Sequence, residues 1–533
     1  MYNRAYTPEI ITELGANEIF VFGSNLEGRH GGGAARVARL KFGAVMGLGV
    51  GLQGQSYAIP TMHGGVEDIK PYVDQFIEFA LSHREYTFLV TKIGCGIAGF
   101  SDEDIAPLFF AAIGIENVIL PESFVRIICK IKSGGILQDK IRGCLMAGAA
   151  GDALGYAVEF NNRNSIIAKY GEMGITKFAL DKSGKALISD DTQMTLFTAN
   201  GLLMGITRGC MRGIGGPPET YVEYAYRDWY YTQGGVDRNR ACRCTWLCFL
   251  PEMAHRRAPG ITCLSACDRL INGGEVYNDS KGCGGIMRVA PMALLCASYA
   301  LRGENPYSLE RMAEGGGEVA AVTHKHPLGF LPASLLTMLI YKLMFMSPEN
   351  ARENIHRVVF EVLSSLDDVY KGKYEREKYV LKELTERAVC LARSNKSDAE
   401  AICELGEGWV AEETWAIALY SAIRHVDSVE DAIIASVNHD GDSDSTGSVC
   451  GNIMGAIYGY EHIKARNLFC PEGHALEDTL ELSEITLAMA DDLYTGCIIG
   501  EYCRIDTPEK RRWEERYCNM HPSGISTYRI SKE

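Results

Sequence analysis

No apolar run in this 533-residue chain is both long enough and clean enough to cross a bilayer. The longest, residues 331–346, is interrupted by Pro332, Ser334, Thr337 and Lys342 and reads as a buried helix. The charged-then-apolar pattern of a signal peptide is missing from the N-terminus. Basic charge is not in excess either. The 53 Lys and Arg against 68 Asp and Glu leave a net −15, which argues against general affinity for nucleic acid or an anionic membrane. The 18 cysteines lack the spacing of a disulfide framework and are scattered through apolar runs such as 142–150 and 292–299. They fit buried free thiols in a reducing compartment, so a cytoplasmic protein is expected. Cys242, Cys244, Cys248, Cys263 and Cys267 flank His255 but follow no zinc-finger spacing, and Trp246, Leu247, Phe249 and Leu250 among them suggest core. With 47% hydrophobic residues, the length implies two or three globular domains.

What the chain does have is acid in unusual places. The stretch His439-Asp440-Gly441-Asp442-Ser443-Asp444-Ser445-Thr446-Gly447 sets three carboxylates at alternate positions with hydroxyls between them. Such an oxygen-rich cluster suits a hard divalent cation; it equally suits a solvated turn capping a helix. Gly447, Gly451, Gly455 and Gly459 then recur every four residues, a helix face on which another backbone can come close. A second cluster, Ser189-Asp190-Asp191-Thr192, precedes Met194, Leu196, Phe197, Leu202 and Leu203 and reads as another helix start. Adjacent acids there gain from the helix dipole alone. Two such clusters, far apart in sequence, are what a two-metal site needs from a helical protein.

Residues 1–132 alternate between strand and helix patterns, the mark of an α/β layer fold with ligand loops at strand ends. Strands are predicted at 19–22, 57–60, 88–91, 118–120 and 125–128, and helices at 33–40, 69–81 and 102–112. Two glycine loops follow strands and precede helices, Gly31-Gly32-Gly33 and Gly94-Cys95-Gly96-Ile97-Ala98-Gly99-Phe100. Exposed amides at such helix starts can hold a diphosphate, although glycine loops are also plain tight turns. Together with Gly23-Ser24-Asn25, these loops resemble those of a divergent macrodomain, a module that binds ADP-ribose. The resemblance implies Asn25 near the distal ribose, Gly31, Gly32 and Gly33 at one phosphate, and Gly94, Gly96, Gly99 and Phe100 at the other.

A linker is expected over 133–139, with Lys132-Ser133-Gly134-Gly135 at its start, and helical periodicity dominates residues 140–503. A C-terminal tail, 504–533, carries no chemistry. Gly143, Ala147, Gly151 and Gly155 form a second small-residue stripe, suited to pack against the first, and Asp152 and Glu159 follow it. Gly282-Cys283-Gly284-Gly285-Ile286-Met287-Arg288 is a glycine loop running into a buried helix, and Thr323-His324-Lys325-His326 a polar loop.

Five motifs in fixed order, Gly143 to Gly155 with Glu159, Ser189 to Thr195, Gly282 to Pro291, Thr323-His324 and Asn438 to Gly447, closely resemble the ADP-ribosylglycohydrolase family. The resemblance implies an all-α domain with two Mg²⁺ (or Mn²⁺) ions held by Ser189, Asp190, Asp191, Asp442, Asp444 and Ser445. It implies a diphosphate along Gly282, Cys283, Gly284, Gly285, Met287 and Arg288, and His324 by the terminal ribose or its neighbour. Cys283 stands where many relatives carry Asn. Cleavage at the ribose C1″ passes through an oxocarbenium-like state, and Glu159, Asp190 and Asp442 are the candidate catalytic carboxylates. The substrate expected is ADP-ribose linked to a protein or small molecule. Two other readings compete: a catalytically weak ADP-ribose reader or toxin-neutralising partner, and an unrelated two-metal phosphoesterase. Intact Glu159, Asp190, Asp191, Asp442 and Asp444 favour the hydrolase over the reader. The glycine loops favour it over the phosphoesterase.

Overall fold

A computed structural model describes residues 5–213, 215–234, 244–302, 308–498 and 506–518. The chain divides into two compact units, Met1–Gly135 and Ile136–Glu533. The first is built on a five-stranded sheet in the order β2-β3-β1-β4-β5, with β1 Glu18–Ser24, β2 Gly51–Gln53, β3 Ser56–Pro60, β4 Thr87–Val90 and β5 Val118–Ile119. All neighbours are parallel except the edge pair β2–β3. The central strand carries an unbroken apolar run, Ile19 to Phe22, because both its faces are covered. Ile19 and Val21 join one core with Val73 and Phe76 of helix α2 (Val66–Ser82), while Phe20 and Phe22 join another with Ala38 of α1 (Gly33–Lys41). Both glycine loops therefore lie beyond the C-terminal ends of parallel strands.

One expectation gives way here, and another gains its conformation. The run 125–128 is not a strand, and the expected linker 133–139, within which the two units divide, is helical; both belong to helix α3, Glu122–Tyr156. Burial of Phe124, Val125 and Ile128, and later of Leu137 and Ile141, follows helical spacing. That packing outweighs β propensity and the roughly 1 kcal/mol that each helical glycine costs.

Unit 2 is helical, with only isolated β-bridges among its described residues. Helix α4 (Asp190–Arg212), α5 (Pro327–Met344), α6 (Ala411–Arg424) and α7 (Ser443–Tyr458) surround its centre. The apolar α5 is long enough to cross a membrane by composition, yet it is a buried core helix. The tail also contributes to the core: helix Pro508–Tyr517 buries Trp513 and Tyr517, and Trp513 Nε1 donates to Thr207 Oγ1 (2.9 Å). Every cysteine among the described residues is a free thiol, while Cys242 lies outside them.

The two small-residue stripes meet. A Cβ on Gly151 would lie 2.1 Å from Gly447 O, one on Gly451 2.1 Å from Ala147 O, and one on Gly455 2.1 Å from Gly143 O. Contacts run from Gly143–Gly455 to Gly155–Ser443, so α3 and α7 are antiparallel and touch backbone to backbone. Asn452 fixes the register by donating to Cys144 O (2.8 Å). We expect Gly451→Val to destabilise the protein by about 3 kcal/mol, because no flexible side chain can yield to it. Gly209→Ala, where the nearest atom would be 3.6 Å away, should be neutral or slightly stabilising in the same denaturant titration.

Candidate active site

The antiparallel α3–α7 pair carries the end of one helix to the start of the other. Asp152, one residue past the Gly151 contact, is fully buried and acts as a capping acceptor for α4. It accepts from Ser189 N (2.9 Å), Thr192 N (3.1 Å) and the Thr192 hydroxyl. Ser189 itself caps the helix, accepting from Asp191 N (3.1 Å). Asp190 is tied down by its own N–H to Arg257 O (2.9 Å) and by Gly260 N to its Oδ2 (3.4 Å). Arg257 in turn is paired with Glu481 (2.7 Å).

Asp442 caps α7, accepting from Ser445 N (3.4 Å), which also reaches Asp444 Oδ1 (3.0 Å). The approach to this cap needs a glycine. Gly441 has φ +117°, and a Cβ there would fall 2.0 Å from Glu407 O, the acceptor of Asp442 N (2.8 Å). His439 pins the loop through Thr446 Oγ1 (2.9 Å) and Asp440 O (2.8 Å), and burial lowers its pKa. Glu159 lies just past α3 and completes the group: it, Asp442 and Asp444 offer oxygens that all lie within 4.8 Å of one another.

Six buried carboxylates are thus gathered, Asp152, Glu159, Asp190, Asp191, Asp442 and Asp444. Among the described residues none forms an ion pair, and Glu159 Oε2 and Asp191 Oδ2 have no hydrogen-bond partner. Burial, and then the nearby Asp444 charge, push Asp190, Asp191 and Asp442 well above the usual carboxylate range. The same causes raise Glu159 to about 9 and Asp152 to about 7. Negative charge concentrated in this way, with orphaned oxygens, is the environment a divalent cation relieves.

The glycine loop forms one wall. A Cβ on Gly285 would come within 2.6 Å of Gly329 O, and one on Gly284 would meet Cys263 Sγ at 2.9 Å and His324 Cε1 at 3.0 Å. Cys283 N donates to Trp409 O (3.2 Å), and its thiol faces Asp442 and Ser445; burial, and then the Asp442 and Asp191 charges, push its pKa well up. Met287 joins the two acidic helices, its carbonyl accepting from Thr195 Oγ1 (3.3 Å) and its sulfur from Ser445 Oγ (3.9 Å). Arg288, expected along a diphosphate, turns inward instead and is fully buried over the Tyr226 ring, 4.3 Å from its centroid. His324 is also buried, and burial, then Arg288, depress it to about 3.

A family model described as ADP-ribosylglycohydrolase matches residues 134–498, about two-thirds of the sequence. The chain belongs to the ADP-ribosylglycohydrolase family. It is accordingly a hydrolase acting on glycosidic bonds, in a family that depends on metal. Over 339 residues it is 23% identical to the ADP-ribosyl-[dinitrogen reductase] glycohydrolase of Rhodospirillum rubrum, covering 62% of this chain and 90% of that protein. Over 220 residues it is 23% identical to human ADP-ribosylhydrolase ARH3, covering 38% and 57%. A solved ADP-ribosylglycohydrolase-related protein complex aligns with 21% identity over 68% of this chain and 99% of its own, at a TM-score of 0.42.

Residues 1–133 lie outside the family match. In their unit a recess of about 370 Å³ opens beyond β1, β3 and β4, lined by Asn25, Gly31, Gly32, Gly33, Gly94 and Gly96. The Asn25 side-chain oxygen is already engaged by Arg29 N (2.8 Å). Gly99 and Phe100 do not line it; Phe100 N closes the loop onto Gly94 O (3.1 Å) and its ring packs on the core. Arg29 and Lys92 are the charged groups of the lining, which holds no Asp, Glu or His.

The raised carboxyl pKa values set the sign of a pH effect. Unfolded, these groups titrate near ~4, whereas the folded metal-free cluster keeps its protons to higher pH. Metal-free protein should therefore be most stable in mild acid and lose stability as pH rises toward about 9, the value at Glu159. Glu159→Gln should flatten the upper part of that slope. Denaturant titrations in chelator at several pH values test this, and stability that rose with pH would contradict it.

Proposed function

We propose that the chain hydrolyses the C1″ glycosidic bond of ADP-ribosylated protein or small-molecule substrates, using two Mg²⁺ or Mn²⁺ ions. The observation that carries this is the cluster of buried carboxylates with no basic partner among the described residues, with Glu159, Asp442 and Asp444 converging within 4.8 Å. Ser189, Asp190 and Asp191 from the start of α4, and Asp442, Asp444 and Ser445 from the start of α7, would hold the metal. When bound, the ions supply charge compensation and Lewis acidity toward ribose hydroxyls and water.

The chain's own groups do the rest. Glu159 Oε2, without a hydrogen-bond partner among the described residues, is the candidate to take the proton from an attacking water. Asp152 touches no substrate in this scheme; it holds the Ser189–Thr192 turn so that Asp190 and Asp191 keep their direction. Gly282 to Gly285 give a backbone edge without bulky side chains for the diphosphate, except that the Cys283 amide is already bonded to Trp409. Asp442→Asn should abolish both metal binding and release of free ADP-ribose while leaving the fold intact, since Asn also caps a helix. Near-normal turnover in that variant would remove the two-cluster site, and AMP as the product would indicate phosphoester chemistry instead.

The N-terminal unit, in this proposal, is an ADP-ribose-binding module of macrodomain-like design. Glycines without side chains and the cations Arg29 and Lys92 suit a diphosphate, and the absence of a lining carboxylate or imidazole suits holding rather than cleaving. A second site for the same ligand raises its local concentration without new contacts. Calorimetry on the full chain with ADP-ribose should resolve two sites, one of them removed by Gly32→Glu. A single site that survives this substitution would leave the recess without that role.

A further inference from the structure

Arg288 is a buried cation without a counterion. It is 0% exposed, and no carboxylate pairs with it among the described residues. Burying a guanidinium unpaired is costly, so its contacts call for a reason beyond packing. They are specific. The guanidinium stacks on Tyr226, Nη1 reaches Met194 Sδ (3.2 Å) and Cys263 Sγ (3.5 Å), and Nη2 donates to the Thr323 hydroxyl. That hydroxyl also lies 2.8 Å from His324 Nδ1.

The donor inventory gives this chain a direction. Arginine can only donate, so Thr323 Oγ1 accepts from Arg288, and its one proton goes to the better of the two acceptors beside it, the imidazole Nδ1 rather than the weakly accepting Cys263 sulfur. The reverse arrangement would put two donors on the hydroxyl oxygen, one of them a fixed cation, and leave its own proton to the weak sulfur acceptor of Cys263. Nδ1 is thus the acceptor, and Nε2 carries the ring proton. Nε2 makes no hydrogen bond among the described residues, and it faces Gly282, where a Cβ would sit 3.2 Å away and cover it.

We propose that Arg288 and Thr323 are positioning residues that lock His324 in the neutral Nε2–H tautomer, so that it offers one N–H donor beside the glycine loop. The group it would meet is an acceptor oxygen or nitrogen of the ligand, not a hydroxyl proton and not a metal ion. The ligand's identity rests on the ADP-ribose reading above; the tautomer does not. Thr323, adjacent to the expected His324, and Arg288, expected at the ligand itself, act through the imidazole instead.

The test uses the full chain with ¹⁵N-labelled histidine. Long-range ¹H–¹⁵N spectra, with the His324 signals identified by their loss in His324→Gln, report the tautomer without any ligand. The wild type should show Nε2–H, Thr323→Val should shift the ring toward Nδ1–H or a mixture, and Thr323→Ser should restore the wild-type pattern. In the same proteins, Thr323→Val should weaken ADP-ribose binding roughly three- to tenfold, the loss of one net hydrogen bond, with metal affinity unchanged. An Nδ1–H ring in the wild type, or an Nε2–H ring unaffected by Thr323→Val, would overturn the relay. Failure of the wild type to bind ADP-ribose, with the tautomer as stated, would overturn the ligand reading and leave the relay standing.

Discussion

Everything at the catalytic centre depends on two helix backbones lying closer than side chains permit. Glycine at positions 143, 151, 447, 451 and 455 removes the atoms that would hold α3 and α7 apart, and the antiparallel sense of the pair does the rest. The C-terminal end of one helix, with Asp152 and then Glu159, arrives at the N-terminal end of the other, with Asp442 and Asp444. The stripe is weak in isolation, since each glycine lowers helix propensity. It is tolerated because burial on every side of α7 supplies the stability that local preference does not.

The second constraint is electrostatic, and it works against the first. Close packing excludes water from six carboxylates that no basic side chain among the described residues neutralises, so folding without a cation holds protons on acids that would otherwise lose them. The surrounding structure resists by geometry. Helix caps, the Asp152 hydrogen bonds, the Gly441 turn and the His439 pin all fix the carboxylates from their backbone side. Their outward oxygens at Glu159 and Asp191 are left without partners. Rigidity on one side and vacancy of hydrogen bonds on the other are what distinguish this cluster from a solvated acidic turn.

Much of this was legible in the chain itself because it is written in residue types. Paired acids before apolar periodicity, glycines every four residues and five motifs in order identify the helices, their close approach and the acidic centre. What was not legible depends on direction. Nothing local to Arg288 says that it turns toward Tyr226 rather than toward a ligand, and nothing in Phe100 says that its ring enters the core. Asp152 was visible as a carboxylate, but its task is set by Ser189 and Thr192, some forty residues on. The run 125–128 has strand-forming side chains, and only the burial of Phe124, Val125 and Ile128 on one helical face decides against a strand. The helix near the C-terminus carried a usable signal, Thr507-Pro508 followed by Trp513 and Tyr517 four apart, which the surrounding charge obscured.

The helix zip also sets when the centre can exist during synthesis. Gly143 and Gly455 are separated by most of the catalytic unit, so their contact closes a very long loop and cannot reward the chain early. A nascent chain that stops short of residue 442 has Asp152, Glu159, Asp190 and Asp191 but neither Asp442 nor Asp444, and α3 exposes its bare backbone stripe with no partner to cover it. The acidic centre is therefore assembled by a late long-range contact rather than carried along from the first. An incomplete or misfolded copy lacks the convergence of Glu159, Asp442 and Asp444 altogether, so hydrolytic capacity and completion of the fold arrive together.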